Sequence, residues 1–395
     1  MSIPMSQQVN ALSNTIAPFM RYYETSSYFK KAQEPDACDF AFGNPHDMPL
    51  AGLGESLRRW SEPHSPDWFA YKMNESRACN VVAASLQRDR SLAFDPADIA
   101  MTTGAFAALN VALHALVDMG EEVIFISPPW FFYEGLITAV RGIPVRVKVD
   151  PKTFDLDLGA LEAAITPRTR AIIINSPNNP TGRIYPAETL QGLADVLARA
   201  SADRERPIYL LSDEAYSRIV FDRQACPSPT SFYPHSLLIY TYGKTLLAPG
   251  QRIGYIALPP SMPEREHMRQ AVFIAQVLTG YAFPNALMQY ALEDLDAMSI
   301  DIPRLQRKRD HMVGALREIG YDVHSPEGTF YLLPRSPIPD DYAFTESLAA
   351  RNVLCLPGTV VEMPGYFRIS LTANEDMIER ALPHFEAALQ KSLTE

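Results

Sequence analysis

The chain has 395 residues, is 47% hydrophobic and 21% charged, and carries 35 basic against 46 acidic side chains, a net charge of −11. That length allows two or three domains at roughly 100–200 residues each, and the composition excludes a disordered, collagen-like or small disulfide-rich chain. So acidic a surface repels nucleic-acid backbones, which argues against a general nucleic-acid partner but leaves room for a local basic pocket that takes a small anion.

The N-terminal stretch has no basic start and no apolar core, so no secretory leader is expected. No run of about 18 apolar residues occurs, so no membrane helix is expected either. Cys38, Cys79, Cys226 and Cys355 are widely spaced, with no CxxC or Cys/His cluster. This predicts free thiols, no metal site and a cytoplasmic protein. Residues 1–50 show no strong period. From about 98 to 258, β-branched runs at 99–102, 122–126, 145–149, 171–175, 208–212, 237–240 and 253–258 alternate with amphipathic stretches such as Leu190, Leu193, Val196 and Leu197. The alternation predicts an α/β fold, a large domain with a mostly parallel seven-stranded sheet between helices. A long helical stretch from 286 to about 319 follows, then short strands at 328–333, 353–356 and 367–371 and a last helix from about 375 to 390. These predict a smaller α/β domain made of both chain ends, with 1–47 and 285–395 flanking a large domain at 48–284.

Gly243-Lys244-Thr245 looks like the end of a P-loop, but the position five residues before Gly243 is Leu238, not glycine. No GxGxxG follows a strand, and no GxSxG or HExxH occurs. Chemistry concentrates instead in four polar segments at predicted strand ends, where open α/β sheets bind ligands. Residues 175–182, Asn-Ser-Pro-Asn-Asn-Pro-Thr-Gly, are turn-formers that also present amide side chains. In Asp213-Glu214-Ala215-Tyr216, the aspartate is either a helix N-cap or a dry carboxylate able to pair with a ring cation. Lys244 follows Thr241-Tyr242-Gly243 and precedes Leu246 and Leu247, apolar company that turns a lysine into an amine nucleophile. Arg252 lies eight residues further on, between Gly250 and Gly254. Thr102-Thr103-Gly104-Ala105-Phe106 opens a helix whose free N–H groups suit an anion. Together these describe a site for a phosphorylated, cationic, carbonyl-bearing cofactor, a description that pyridoxal 5′-phosphate fits.

The ordered set of Asn178-Asn179-Pro180-Thr181-Gly182, Asp213-Glu214-Ala215-Tyr216, Lys244 with Arg252 and Gly254, and Phe367-Arg368-Ile369-Ser370 resembles the class I/II aminotransferases, fold-type I pyridoxal-phosphate enzymes. The resemblance spans roughly residues 40–372. It implies that Lys244 carries the cofactor as a Schiff base and then moves the substrate proton. Asp213 would pair with the pyridine nitrogen, Asn179 and Tyr216 would bond the ring oxygen, and Trp130 would stack on the ring. The amides of Gly104, Ala105 and Phe106, with Thr241 and Arg252, would hold the phosphate. Tyr71 is the candidate for a phosphate contact from a partner subunit, which implies a homodimer with composite sites. Arg368 would bind the substrate carboxylate with its planar fork, helped by a backbone amide near Gly43 or Asn44.

Two departures stand out. Gly243 occupies the place before the lysine where the family often has serine, and the loop 358–365 lacks the family's Phe-Gly pair. The function implied is ping-pong transfer of an amino group from an L-amino acid to a 2-oxo acid. Phe40, Phe42, Trp130, Phe131 and Tyr331 favour neutral or aromatic substrates. The alternative is elimination, cyclisation or oxidation of an amino acid on the same cofactor.

Overall fold

The computed structural model describes residues 5–394; the first four residues and the last, at the outer ends of the predicted segments 1–47 and 285–395, lie outside the described residues. Seven strands form one sheet: β1 (Ile99–Thr102), β2 (Glu122–Ser127), β3 (Ile143–Lys148), β4 (Thr169–Asn175), β5 (Tyr209–Asp213), β6 (Ser236–Thr241) and β7 (Gly254–Ala257). Their order across the sheet is β1-β7-β6-β5-β4-β2-β3. β7 runs antiparallel to both neighbours; the other pairs are parallel. The expected α/β class, with a mostly parallel sheet between helices, is therefore what the chain builds.

Alternation along the strands sends side chains into two cores. Ile124, Ile126, Ile172, Ile174 and Leu210 pack on one face. Val123, Phe125, Ala171, Ile173 and Leu211 pack on the other, against the helix Ala105–Leu116. Both faces are covered, which is why these strands read as continuous apolar runs. Ala105–Leu116 is apolar nearly all round because it lies between the sheet and the helix Arg265–Leu278.

The two chain ends meet. The two-residue strand Cys38–Asp39 pairs in parallel with Val353–Leu354. Leu356–Pro357, Phe367–Ser370 and Tyr331–Leu332 form a small antiparallel sheet, over a core that includes Phe40, Phe330, Phe344, Phe367 and Phe385.

Two expectations need correction, and one stretch without an assigned element takes form. The stretch before residue 38 is helical, at Gln7–Thr15, Ala17–Thr25 and Tyr28–Lys31. These helices bury only Tyr22 and Tyr28, so no apolar stripe was available to mark them. The stretch 286–319 is two helices, Ala286–Leu295 and Ile302–Ile319. Asp301 starts the second by accepting from Arg304 N at 2.8 Å, with a proline in the first turn. The last helix runs on to Thr394.

Candidate functional site

The carboxyl ends of the strands stand in register. Asn175 at the end of β4 is opposite Asp213 at the end of β5, and Gly254 is opposite both Thr241 and Thr102. The loops leaving these ends enclose a cleft of about 230 Å³. Gly43, Ala105, Phe106, Trp130, Asn179, Asp213, Tyr216, Thr241, Lys244, Arg252 and Arg368 all line it. Residues spread over more than 300 positions thus meet at one sheet edge. A larger cavity of about 360 Å³ lies beside Asp98, but the arginines there are tied to that carboxylate.

Glycines make the close approaches. Gly104 has φ +95° and stands at the N-cap of Ala105–Leu116. A Cβ on it would lie 2.6 Å from Arg252 Nη2. A Cβ on Gly254 would lie 2.9 Å from Gly104 Cα and 2.4 Å from Tyr240 O. These two glycines let the arginine lie against the helix N-terminus, so a guanidinium and free N–H groups converge on one spot. A Cβ on Gly243 would sit 3.2 Å from Pro249 Cα, tight enough to explain glycine where the family often has serine.

The charges are unequal. Arg252 donates to Pro249 O at 2.8 Å and meets no carboxylate among the described residues; burial presses its pKa down. Arg368 is 2% exposed. It donates to Asn179 Oδ1 at 3.1 Å and Ala41 O at 2.9 Å, lies 4.1 Å over the Tyr331 ring, and leaves its buried Nε without a partner. Lys244 is half-buried on the short helix Tyr242–Thr245, with Nζ 5.5 Å over the Tyr216 ring and 5.7 Å over the Phe330 ring. Against these three cations stands one lining carboxylate, Asp213. A cleft with two positive charges in excess, in a chain of net charge −11, is built to receive anions.

Asp213 is buried, and burial raises its carboxyl pKa to about 6 despite hydrogen bonds that favour the ionised form. Tyr133 Oη donates to Asp213 Oδ2 at 2.6 Å, and Ala215 N donates to Oδ1 at 3.2 Å. A cation placed against it would recover the cost of its burial. Asn175 Nδ2 donates to the Asp213 carbonyl at 2.9 Å and its Oδ1 accepts from Asn179 N at 2.8 Å, so one amide ties the two motifs together. Burial drives the Tyr216 hydroxyl well up. At Tyr331 burial acts in the same sense, but Arg368 and then Lys244 outweigh it and the pKa falls.

Some expected residues lie elsewhere. Tyr71 is 85% exposed, its ring 4.8 Å from that of Phe283, and it does not reach the cleft of its own chain. Phe40 is fully buried in the core under the small sheet rather than in the cleft; the strand ends at Asp39 and the chain bends at 41–43, so Phe42 faces in although it stands two residues further on. Thr241 lines the cleft, but its hydroxyl also donates to Ile253 O at 3.3 Å and caps the helix bearing Lys244. The loop 358–365 docks through Glu362, whose carboxylate accepts from Ser127 Oγ at 2.7 Å and Arg146 Nε at 2.6 Å. Sequence reasoning missed Tyr133 and Asn175 as site residues. Asn175 ends β4 inside the polar run 175–182 and was open to view there, whereas Tyr133 begins the short helix Tyr133–Ala139 after β2 and its buried hydroxyl carried no signal of its own.

A family model for aminotransferases of class I and II matches residues 71–385. A probable aspartate/prephenate aminotransferase of Thermus aquaticus is 30% identical over 91% of this chain and 90% of its own length. The aspartate/prephenate aminotransferase of Thermus thermophilus is 31% identical over 79% of this chain and 80% of its own. Among solved structures, an amino transferase from Eubacterium rectale superposes with a TM-score of 0.86 at 29% identity, covering 99% of this chain and 96% of that one. The aspartate aminotransferase of Rhizobium meliloti gives 0.84 at 26% identity, covering 98% and 99%.

Proposed function

The chain belongs to the class I and II aminotransferase family and is an aminotransferase, and from that premise we propose that it works with pyridoxal 5′-phosphate, carrying an amino group from an L-amino acid to a 2-oxo acid in two half-reactions through Lys244. The observation that carries this reading is the charge pattern of the cleft: Lys244, Arg252 and Arg368 around one buried carboxylate, Asp213. Such a pattern suits a ligand with two anionic ends and one ring cation.

When bound, pyridoxal phosphate supplies a carbonyl that captures an amine and a protonated ring that takes up electron density. In this reading Asp213 holds the ring cation, and Tyr133 and Ala215 hold Asp213 in place. Arg252, Thr241, Gly104 and the first amides of Ala105–Leu116 take the phosphate. Trp130 lies along the ring, and Asn179 and Tyr216 bond its oxygen. Arg368 uses its unpartnered Nε and its Nη groups to grip the substrate α-carboxylate, beside the backbone of Gly43. Lys244 Nζ, in no hydrogen bond or ion pair among the described residues, is free to attack a carbonyl and then to take the proton from the substrate Cα and return it.

The same reading includes a homodimer with shared sites, each end pairing with its fold mate to give a small domain beyond 48–284. Tyr71, Phe273, Ile274, Leu278 and Phe283 are all at least 46% exposed. An apolar face of this kind suits a second copy, and would bring Tyr71 to the partner's phosphate site. Four cysteines without a disulfide fit a cytoplasmic home. The test is the visible spectrum of the cofactor-loaded protein during addition of single L-amino acids without any oxo acid. The expected result is loss of the cofactor's visible band with suitable donors, and no change for Lys244→Ala. Wild-type behaviour in that variant would remove Lys244 from its role, and a protein that cannot bind the cofactor would remove the reading altogether.

A further inference from the structure

We propose that the substrate side-chain subsite is a box of aromatic rings closed by Phe19, and that it selects amino acids with a large apolar or aromatic side chain over acidic ones; the inference rests on the transamination reading above. Phe42, Phe106, Trp130 and Phe131 line the cleft and are only partly buried. They come from separate elements. Phe42 follows the strand Cys38–Asp39, Phe106 lies in the first turn of Ala105–Leu116, and Trp130 and Phe131 follow β2. Phe19, on the helix Ala17–Thr25, joins two of these walls. Its ring lies flat on Phe131, with centroids 5.3 Å apart and planes at 10°, and meets Phe42 edge-on at 6.4 Å and 66°. Phe132 completes the layer at 5.9 Å from Phe19 and 5.4 Å from Phe106.

Among the described residues of this chain, the same region offers an acidic side chain no cation beyond those already committed. The three cations that line the cleft are Lys244, Arg252 and Arg368, and the reading above commits each of them. Two arginines, one on the helix of Phe19 and one on β3 beside β2, are engaged elsewhere. Arg21, two residues after Phe19, lies 4.2 Å over the Tyr342 ring. Arg146 is held by Glu134 at 2.7 Å and Glu362 at 2.6 Å. A second carboxylate entering this box would lose water and gain no counter-charge, whereas a ring or a long aliphatic chain would exchange water for aromatic faces and edges. The helix Ala17–Thr25 buries only Tyr22, so Phe19 is placed by its ring contacts rather than by a deep core.

Two measurements on the cofactor-loaded protein test this. Calorimetric titration with 3-phenylpropionate and with succinate compares the two side chains with no reaction taking place, and kcat/KM for phenylalanine, alanine and aspartate compares them in turnover. The expected result is at least about tenfold tighter binding of 3-phenylpropionate, and a matching preference for phenylalanine over aspartate. Phe19→Ala should lower the phenylalanine value about tenfold more than the alanine value, and Phe19→Leu should recover most of the loss. Succinate binding as tightly as 3-phenylpropionate, or binding of neither, overturns the subsite. So does an equal loss for alanine and phenylalanine, which would mark Phe19 as merely structural. If no amino acid changes the cofactor spectrum, it is the transamination reading that fails, not the subsite.

Discussion

Replacing Asp213 by asparagine should make the empty protein more stable and the loaded protein worse. Asp213 is 5% exposed, and burial raises its carboxyl from 3.8 to about 6. The difference of 6 − 3.8 = 2.2 pH units, at about 1.4 kcal/mol each, means that holding this group ionised costs the cofactor-free fold on the order of 3 kcal/mol at neutral pH. Asparagine has the same shape and still accepts from Tyr133, whose oxygen lies 2.6 Å from Oδ2. Its amide nitrogen would face Ala215 N, which now donates to Oδ1 at 3.2 Å, and losing that bond returns about 1 kcal/mol. The net gain is about 2 kcal/mol. In a chain of 395 residues an unfolding entropy of about 2.1 cal/mol/K per residue converts this into a rise in Tm of about 2 °C.

The sign of the pH dependence follows from the same shift. The folded carboxyl holds its proton more tightly than the unfolded one, so the wild type loses stability as pH rises from about 4 to about 6 and is level above that. The ionisation cost roughly halves by pH 5 while the lost hydrogen bond does not change, so the advantage of the variant should be full at pH 8 and about a third as large at pH 5. With the cofactor present the order reverses. The ring cation loses its buried counter-charge, and cofactor affinity should fall on the order of a hundredfold. Thermal melts of the cofactor-free proteins across this pH range, with cofactor titration beside them, provide the assay. An asparagine variant that melts below the wild type when empty, or that binds cofactor as well as the wild type, would refute the reasoning.

Arg368→Lys should raise KM for amino acids at least about tenfold while changing kcat less, because the planar fork and its free Nε are lost but a charge remains; an unchanged KM would place the carboxylate elsewhere. Gly104→Ala forces a Cβ to within 2.6 Å of Arg252 Nη2 at φ +95°, a strain of about 1–3 kcal/mol. Its effect should fall on the phosphate, so affinity for pyridoxal phosphate should drop toward that for pyridoxal, whose own affinity should barely move. Mixing Lys244→Ala with Tyr71→Ala chains and allowing exchange should restore about a quarter of wild-type turnover if sites are shared across a two-fold dimer; activity no greater than the sum of the parts would show that each chain's site is self-contained.

The layout of the sheet and of the cleft at its edge was legible wherever an element's environment is uniform. Strands β2, β4 and β6 are buried along their whole length and therefore read as apolar runs, and the polar motifs after β4, β5 and β6 marked strand ends, whereas the edge strand β3 is buried only at Val147. The N-terminal helices were not legible, since they bury almost nothing and so carry no stripe. The break at Asp301 was passed over because the helical pattern resumes directly after its cap.

Residue type and order alone determined which groups exist to do the chemistry: an amine, a dry carboxylate, two arginines and small residues at a helix start. Tertiary structure alone decided which of them meet. It placed Arg368 against Asn179 across 189 positions and Tyr133 on Asp213 across 80. It turned Phe40 into the core, left Tyr71 facing outward, and brought Phe19 onto Phe131. The physical reason is that periodicity reports only whether a side chain is buried, whereas its neighbour is set by strand order, register and the packing of distant segments, which no local pattern encodes.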